Sequence, residues 1–138
     1  MSLVAGLAGA AQASVSGALG KRVGSVQAAA FGAIVAAVLL VGLAVVSGRG
    51  PGIADVFRQP LWLLISGVFG AGIVLTLAYA PPRIGTFATV ALMIAGQLLA
   101  GAAIDAFGWL GTDRIPVTAT RLIGLALLTA GAALTLRR

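Results

Sequence analysis

The chain has 138 residues, of which 60% are hydrophobic and only 9% charged, and its mean hydropathy is +1.12. A soluble domain carries about 25% charged residues, so this composition excludes a water-bathed globule and places the chain in a lipid bilayer. Cysteine and histidine are absent, which excludes disulfides, thiolate metal sites, catalytic thiols and the commonest metal ligand. No metal, cofactor or enzyme site is expected. The net charge of +6 does not point to nucleic acid, because the cations punctuate the ends of apolar runs instead of forming a patch.

A spanning helix needs about 20 predominantly apolar residues. Five stretches qualify, at about 2–20, 28–47, 60–80, 84–104 and 119–136. "GKRVGS" ends the first with two cations, and "SGRGPGIADVFRQP" ends the second with Gly, Pro and charges. "APPRIG" divides the third from the fourth, since Pro82 cannot lie in a helix interior without losing a hydrogen bond. "IDAFGWLGTDRIP" divides the fourth from the fifth, with Trp109 at an interfacial position. The fifth has a polar entry, "VTATRLIG". The first has no basic region ahead of it and its cations follow, so it reads as a retained span and not as a cleaved signal. A bilayer admits helices or closed barrels, and these runs are apolar all round instead of alternating. The expected fold is all-α and polytopic, one domain over 1–138 with five transmembrane helices.

Five spans place Arg49, Arg58, Arg114 and Arg121 on one face and Lys21, Arg22, Arg83, Arg137 and Arg138 on the other. Orientation follows the Lys/Arg imbalance of short loops, and four against five weakly favours an external N-terminus. So even a balance fits a single orientation with a weak signal. It fits equally a chain that inserts both ways and pairs antiparallel with an opposed copy.

Small residues allow the close approach by which membrane helices associate. The first span offers ladders at Gly6, Ala10, Ser14, Ala18 and at Gly9, Ala13, Gly17. Later spans carry Gly67, Gly70, Gly96 and Gly101. Gln12 and Gln97 stand out against this background, because an unsatisfied amide in hydrocarbon costs several kcal/mol. Gln12 shares a helix face with Ser16, and Gln97 follows Met93 and Thr89 along another. Two readings stand: interhelical glue, or the lining of a polar cavity that binds a substrate. No ionisable residue occupies a span centre, so a central carboxylate relay has no candidate. Asp105, at the end of the fourth span, is expected to cap or to pair with Arg114 or Arg83.

Taken in order, several blocks resemble one family. "QASVSGALGKRVGS" is similar to the Q-x-x-x-N-x-x-L-G-(R/K)-x-x-G-(S/T) entry of the YdcZ-like family of the drug/metabolite transporter (DMT) superfamily. "LWLLISGVFGAG" resembles its Trp-containing third span. "PPRIGTFATVALMIAGQLLAGAAIDAFGWLG" resembles its P-x-(L/I)-G, G-Q and I-D-x-F-G block, and "TRLIGLALLTAGAALTLRR" its close. Ser16 departs from the pattern by standing where the family usually has Asn. The resemblance implies a multi-pass protein of the bacterial inner (plasma) membrane that transports or exports a small molecule. It also implies antiparallel pairing with itself or with an oppositely oriented paralogue.

The combined expectation is an antiparallel two-fold pair moving a small molecule by alternating access. Gln12, Ser16 and Gln97 would supply hydrogen bonds near mid-membrane, with Thr89 and Met93 along the lining. Tyr79 and Trp62 would be aromatic walls or, more simply, interfacial anchors. The expected partners are the bilayer, the second chain and the substrate. The rival readings are a non-transporting membrane subunit docked through its glycine ladders and a passive pore for neutral solutes.

Overall fold

The computed structural model describes residues 2–50, 52–109, 114–116 and 118–136. Arg137 and Arg138 of the charge balance lie outside them. Every regular element described is helical: α1 (Ser2–Val23), α2 (Ser25–Val46), α3 (Gly52–Val56), α4 (Leu61–Leu64), α5 (Ser66–Tyr79), α6 (Pro81–Ile84), α7 (Thr86–Phe107) and α8 (Ala119–Leu134).

Four apolar segments are long enough to cross a membrane: α1, α2, the run Leu61–Ile84 and α7. Each 22-residue helix extends about 33 Å at 1.5 Å per residue, against a hydrocarbon core of about 30 Å. The protein is therefore a polytopic membrane protein. The fifth apolar stretch forms a helix of only 16 residues, about 24 Å long. It starts at the expected residue and falls short at its C-terminal end. Thr118 is the N-cap, its hydroxyl accepting from the Arg121 N–H at 3.4 Å, which fixes that start. At the other end it closes in a turn at Thr135 and Leu136.

The third span runs past the expected boundary at residue 80. Pro81 and Pro82 end α5 but also open α6, occupying its first turn, where a missing N–H costs nothing. The double proline thus breaks the helix without ending the apolar run.

Two junctions share one pattern. Arg22-Val23-Gly24-Ser25 and Arg83-Ile84-Gly85-Thr86 each pass through a single glycine into a 22-residue helix. Gly24 has φ 98° and ψ 145°, and Gly85 has φ 87° and ψ 153°. This backbone region is close to glycine-only. Gly85→Ala is expected to cost about 1–3 kcal/mol, read as a lower melting temperature in detergent. Replacing the neighbouring Thr86 by Ser should leave melting unchanged.

The chain forms two compact units, Ala11–Arg83 and Met1–Ala10 with Ile84–Arg138. In the first, α2 packs on α5, around Ala28, Ala29 and Ala78 with Leu19 and Val74 against them. In the second, α7 packs on α8. Among the described residues the buried hydrophobic positions are seven alanines and Leu77. A soluble core would instead bury its large side chains. Here they point outward, Leu39 at 67% and Leu40 at 66% exposure, because lipid solvates them and close backbone approach holds the helices together.

Of the two ladders on α1, Ala13 and Gly17 are the buried members, while Gly6, Ser14 and Ala18 are exposed. A Cβ at Gly17 would lie 2.9 Å from Pro81 Cβ, and one at Gly20 would lie 2.6 Å from the Ala78 carbonyl oxygen. Gly6, Gly9, Gly67, Gly70, Gly96 and Gly101 meet nothing of this chain within 4 Å at that position. The contacts that require glycine are made by Gly17 and Gly20, where α1 meets the end of α5 and the prolines of α6.

Candidate functional site

Gln97, Gly101 and Asp105 follow one another at four-residue spacing on α7 and therefore share a face. Opposite them α8 presents Arg121, Gly124, Leu125 and Leu128. Together with Leu98 and Ala102 these residues line a cleft of about 420 Å³. Gly101 and Gly124 hold it open by having no side chain, and a Cβ at either would meet nothing within 4 Å.

The polar end of the cleft is built by the way α7 stops. Gly108 takes the left-handed conformation at φ 65° and returns its N–H to the Ile104 carbonyl at 2.8 Å. The Ile115 N–H then reaches the Asp105 carbonyl at 2.9 Å, and Arg114 Nε donates to the Ala106 carbonyl at 2.9 Å. Three of the last four carbonyls of α7 are thereby satisfied. Arg114 caps a helix C-terminus, where a cation is favoured, and is not the partner of Asp105.

That partner is Arg121, whose Nη1 lies 3.5 Å from Asp105 Oδ2. Arg83 is engaged elsewhere, donating to the Tyr79 carbonyl at 2.6 Å. Arg121 sits in the first turn of α8, where the helix dipole disfavours a cation, and the Asp105 carboxylate offsets this. Both side chains are partly exposed, at 54% for Arg121 and 36% for Asp105. The pair therefore presents charge to the cleft instead of sealing it.

Gln97 lies further along the apolar wall. Its side chain is exposed in the chain, and among the described residues its amide has no hydrogen-bond partner. An amide offers two donors and an acceptor oxygen. The cleft thus combines leucine walls, an unpaired amide and an ion pair at its end, which suits binding an amphipathic solute by hydrogen bonds and apolar contact. Among the described residues no group of His, Cys, Asp or Glu is placed to hold a metal.

The other expected site residues fall elsewhere. Thr89 is 1% exposed and its hydroxyl donates to the Gly85 carbonyl at 2.8 Å, so its proton is used within α7. Met93 is half-buried. Neither lines the cleft with Gln97. Gln12 is exposed on α1 and Ser16, one turn on, is half-buried. Neither side chain is hydrogen-bonded among the described residues. Trp62 on α4 is 52% exposed, and Tyr79 carries the Arg83 guanidinium over its ring at 3.5 Å. The contribution of Arg121 was missed from the sequence, although its place one turn into the last apolar run was the signal that could have found it.

Over residues 1–134 the sequence matches the family described as "Putative inner membrane exporter, YdcZ". The chain belongs to this family. The match takes in α1 through α8, and so both the cleft and the junction glycines. The YdcZ family is one of exporters and not of enzymes, and with several long apolar helices the chain is a multi-pass protein of the inner membrane. No curated protein and no solved structure matches this YdcZ-family chain significantly.

Proposed function

We propose that this protein exports a small amphipathic molecule by alternating access, as an antiparallel two-fold pair with a second copy or an oppositely oriented paralogue. The observation that carries the reading is the α7–α8 cleft, where the unpaired Gln97 amide faces an apolar wall ending in the Asp105–Arg121 pair. The near-even Lys/Arg balance supports opposed insertion, since little in the charges dictates one orientation. In this reading α8 crosses as the fifth span. At about 24 Å it is short, a mismatch that a locally thinned bilayer and the long Arg121 side chain accommodate. The whole chain then works as one five-span domain, with Gln12 and Ser16 of α1 as solute contacts in their own unit.

The chain has no native cysteine, so single-cysteine labelling is clean. Cysteines are placed at Gly48, in the α2–α3 connection, and at Leu136, beyond α8. An opposed homodimer should be labelled at each site from both sides of the membrane. Pairing with a paralogue should give each site one side only, and opposite sides for the two. Labelling of both sites from one and the same side would show that α8 does not cross. Crosslinked dimers of parallel chains only would sink the antiparallel pair.

A further inference from the structure

The unit Ala11–Arg83 holds a second pocket, of about 370 Å³, lined by Gly20, Lys21, Ser25, Pro82 and Arg83. Its two cations come from distant parts of the sequence, one from the last turn of α1 and one from α6. Among the described residues no carboxylate neutralises either. The ion pairs among the described residues are Arg58 with Asp55 and Arg121 with Asp105. Like charges brought together without a carboxylate repel, and a bound anion relieves that repulsion.

Arg83 is also held in place. Its guanidinium lies 3.5 Å from the centroid of the Tyr79 ring, and Nη1 donates to the Tyr79 carbonyl at 2.6 Å. Stacking and one hydrogen bond fix the plane while leaving other N–H groups to donate, the arrangement that suits a tetrahedral oxyanion. Lys21 adds a mobile point charge and Ser25 a hydroxyl. Ser25 also begins α2, behind Gly24, which gives no side-chain cap, and the dipole of that N-terminus is offset by the C-terminus of α1 at Val23. The pocket lies where apolar spans end, at the depth of lipid headgroups.

We infer that the pocket of Lys21, Ser25 and Arg83 binds a phosphate group, that of an anionic phospholipid headgroup or of a small soluble phosphate ester. The inference is independent of what the α7–α8 cleft carries. It is tested on the purified full chain in detergent, titrated with dihexanoyl-phosphatidylglycerol, dihexanoyl-phosphatidylcholine and glycerol 3-phosphate. Phosphatidylglycerol is expected to bind at least tenfold more tightly than phosphatidylcholine, and the Lys21→Gln/Arg83→Gln double variant to lose that preference. An Arg49→Gln/Arg58→Gln variant, whose cations lie outside the pocket, should retain it. Binding of glycerol 3-phosphate that is lost in the same variant identifies a soluble ester as the source, and preference for the lipid alone identifies the headgroup. Because Arg83→Gln also removes the Tyr79 contacts, Lys21→Gln alone supplies the same reading should the double variant fail to fold, with a several-fold loss expected. The inference is overturned if the unaltered protein neither prefers phosphatidylglycerol nor binds glycerol 3-phosphate. It is equally overturned if the variants bind as the unaltered protein does.

Discussion

Gly20→Leu is expected to destabilise the protein by about 3 kcal/mol or more, and Gly20→Ala by about 1–3 kcal/mol. The added Cβ would sit 2.6 Å from the Ala78 carbonyl oxygen. That oxygen belongs to the backbone of α5 and cannot swing aside as a side-chain tip could. Ala78 itself is fully buried in the α2–α5 core, so the strain passes into the best-packed part of its unit. Gly17→Ala should behave similarly, because its Cβ would meet Pro81 Cβ at 2.9 Å, against a stiff ring. The matched controls are Gly6→Ala and Gly70→Ala, where no atom of this chain lies within 4 Å. Within the single chain these should be neutral or gain up to about 1 kcal/mol from helix propensity. Melting of all five variants, with the dimer fraction measured alongside, separates two kinds of glycine. Loss of dimer without loss of chain stability at Gly6 or Gly70 would identify a surface that the second chain covers. A Gly20→Leu protein as stable as the original would refute the close approach of α1 to α5.

Gln97→Leu is expected to leave the melting temperature unchanged or raise it, and to abolish stabilisation by a bound solute. That stabilisation amounts to about 2.7 kcal/mol at a hundred times Kd. The amide has no hydrogen-bond partner among the described residues, so its removal forfeits no hydrogen bond to them, and leucine suits the apolar cleft better. The same amide is the group able to hold a polar atom of a solute against the walls of Leu98, Leu125 and Leu128. A thermal screen of small molecules on the unaltered protein supplies the probe, and the variant is melted with and without each hit. Gln12→Leu is measured in parallel. If the Gln97→Leu protein melts early, loses its dimer and still binds the hit normally once folded, the amide is interhelical glue and not a contact for the solute.

The apolar runs were legible because length and composition alone set which segments can cross a bilayer. The helices α1, α2 and α7 begin and end within a few residues of the expected limits. The family was legible for a different reason, since I-D-x-F-G is the machinery that stops α7 and Gly108 must adopt its left-handed turn. The partner of Asp105 was not legible. Arg114 and Arg83 were the expected partners, but Arg114 donates to the Ala106 carbonyl, Arg83 stays on Tyr79, and Arg121 pairs with the carboxylate. Nor could the sequence separate Gly17 and Gly20 from other glycines, because the residues that crowd them, Ala78 and Pro81, lie far along the chain. The fifth helix was overestimated at its C-terminal end, where Thr135 and Leu136 form a turn that hydropathy alone does not mark.

The single-glycine junction at Gly24 bears on how the chain enters its membrane. α1 and α2 are joined by one residue, so no slack exists to leave one behind while the other is handed over. Both are long enough to cross a membrane, so they are delivered to it together. Two successive crossings return a chain to the side from which it set out and leave the sidedness of whatever follows untouched. Which way α1 and α2 face is therefore decided early, by whether the Lys21–Arg22 turn is drawn across the bilayer or held back.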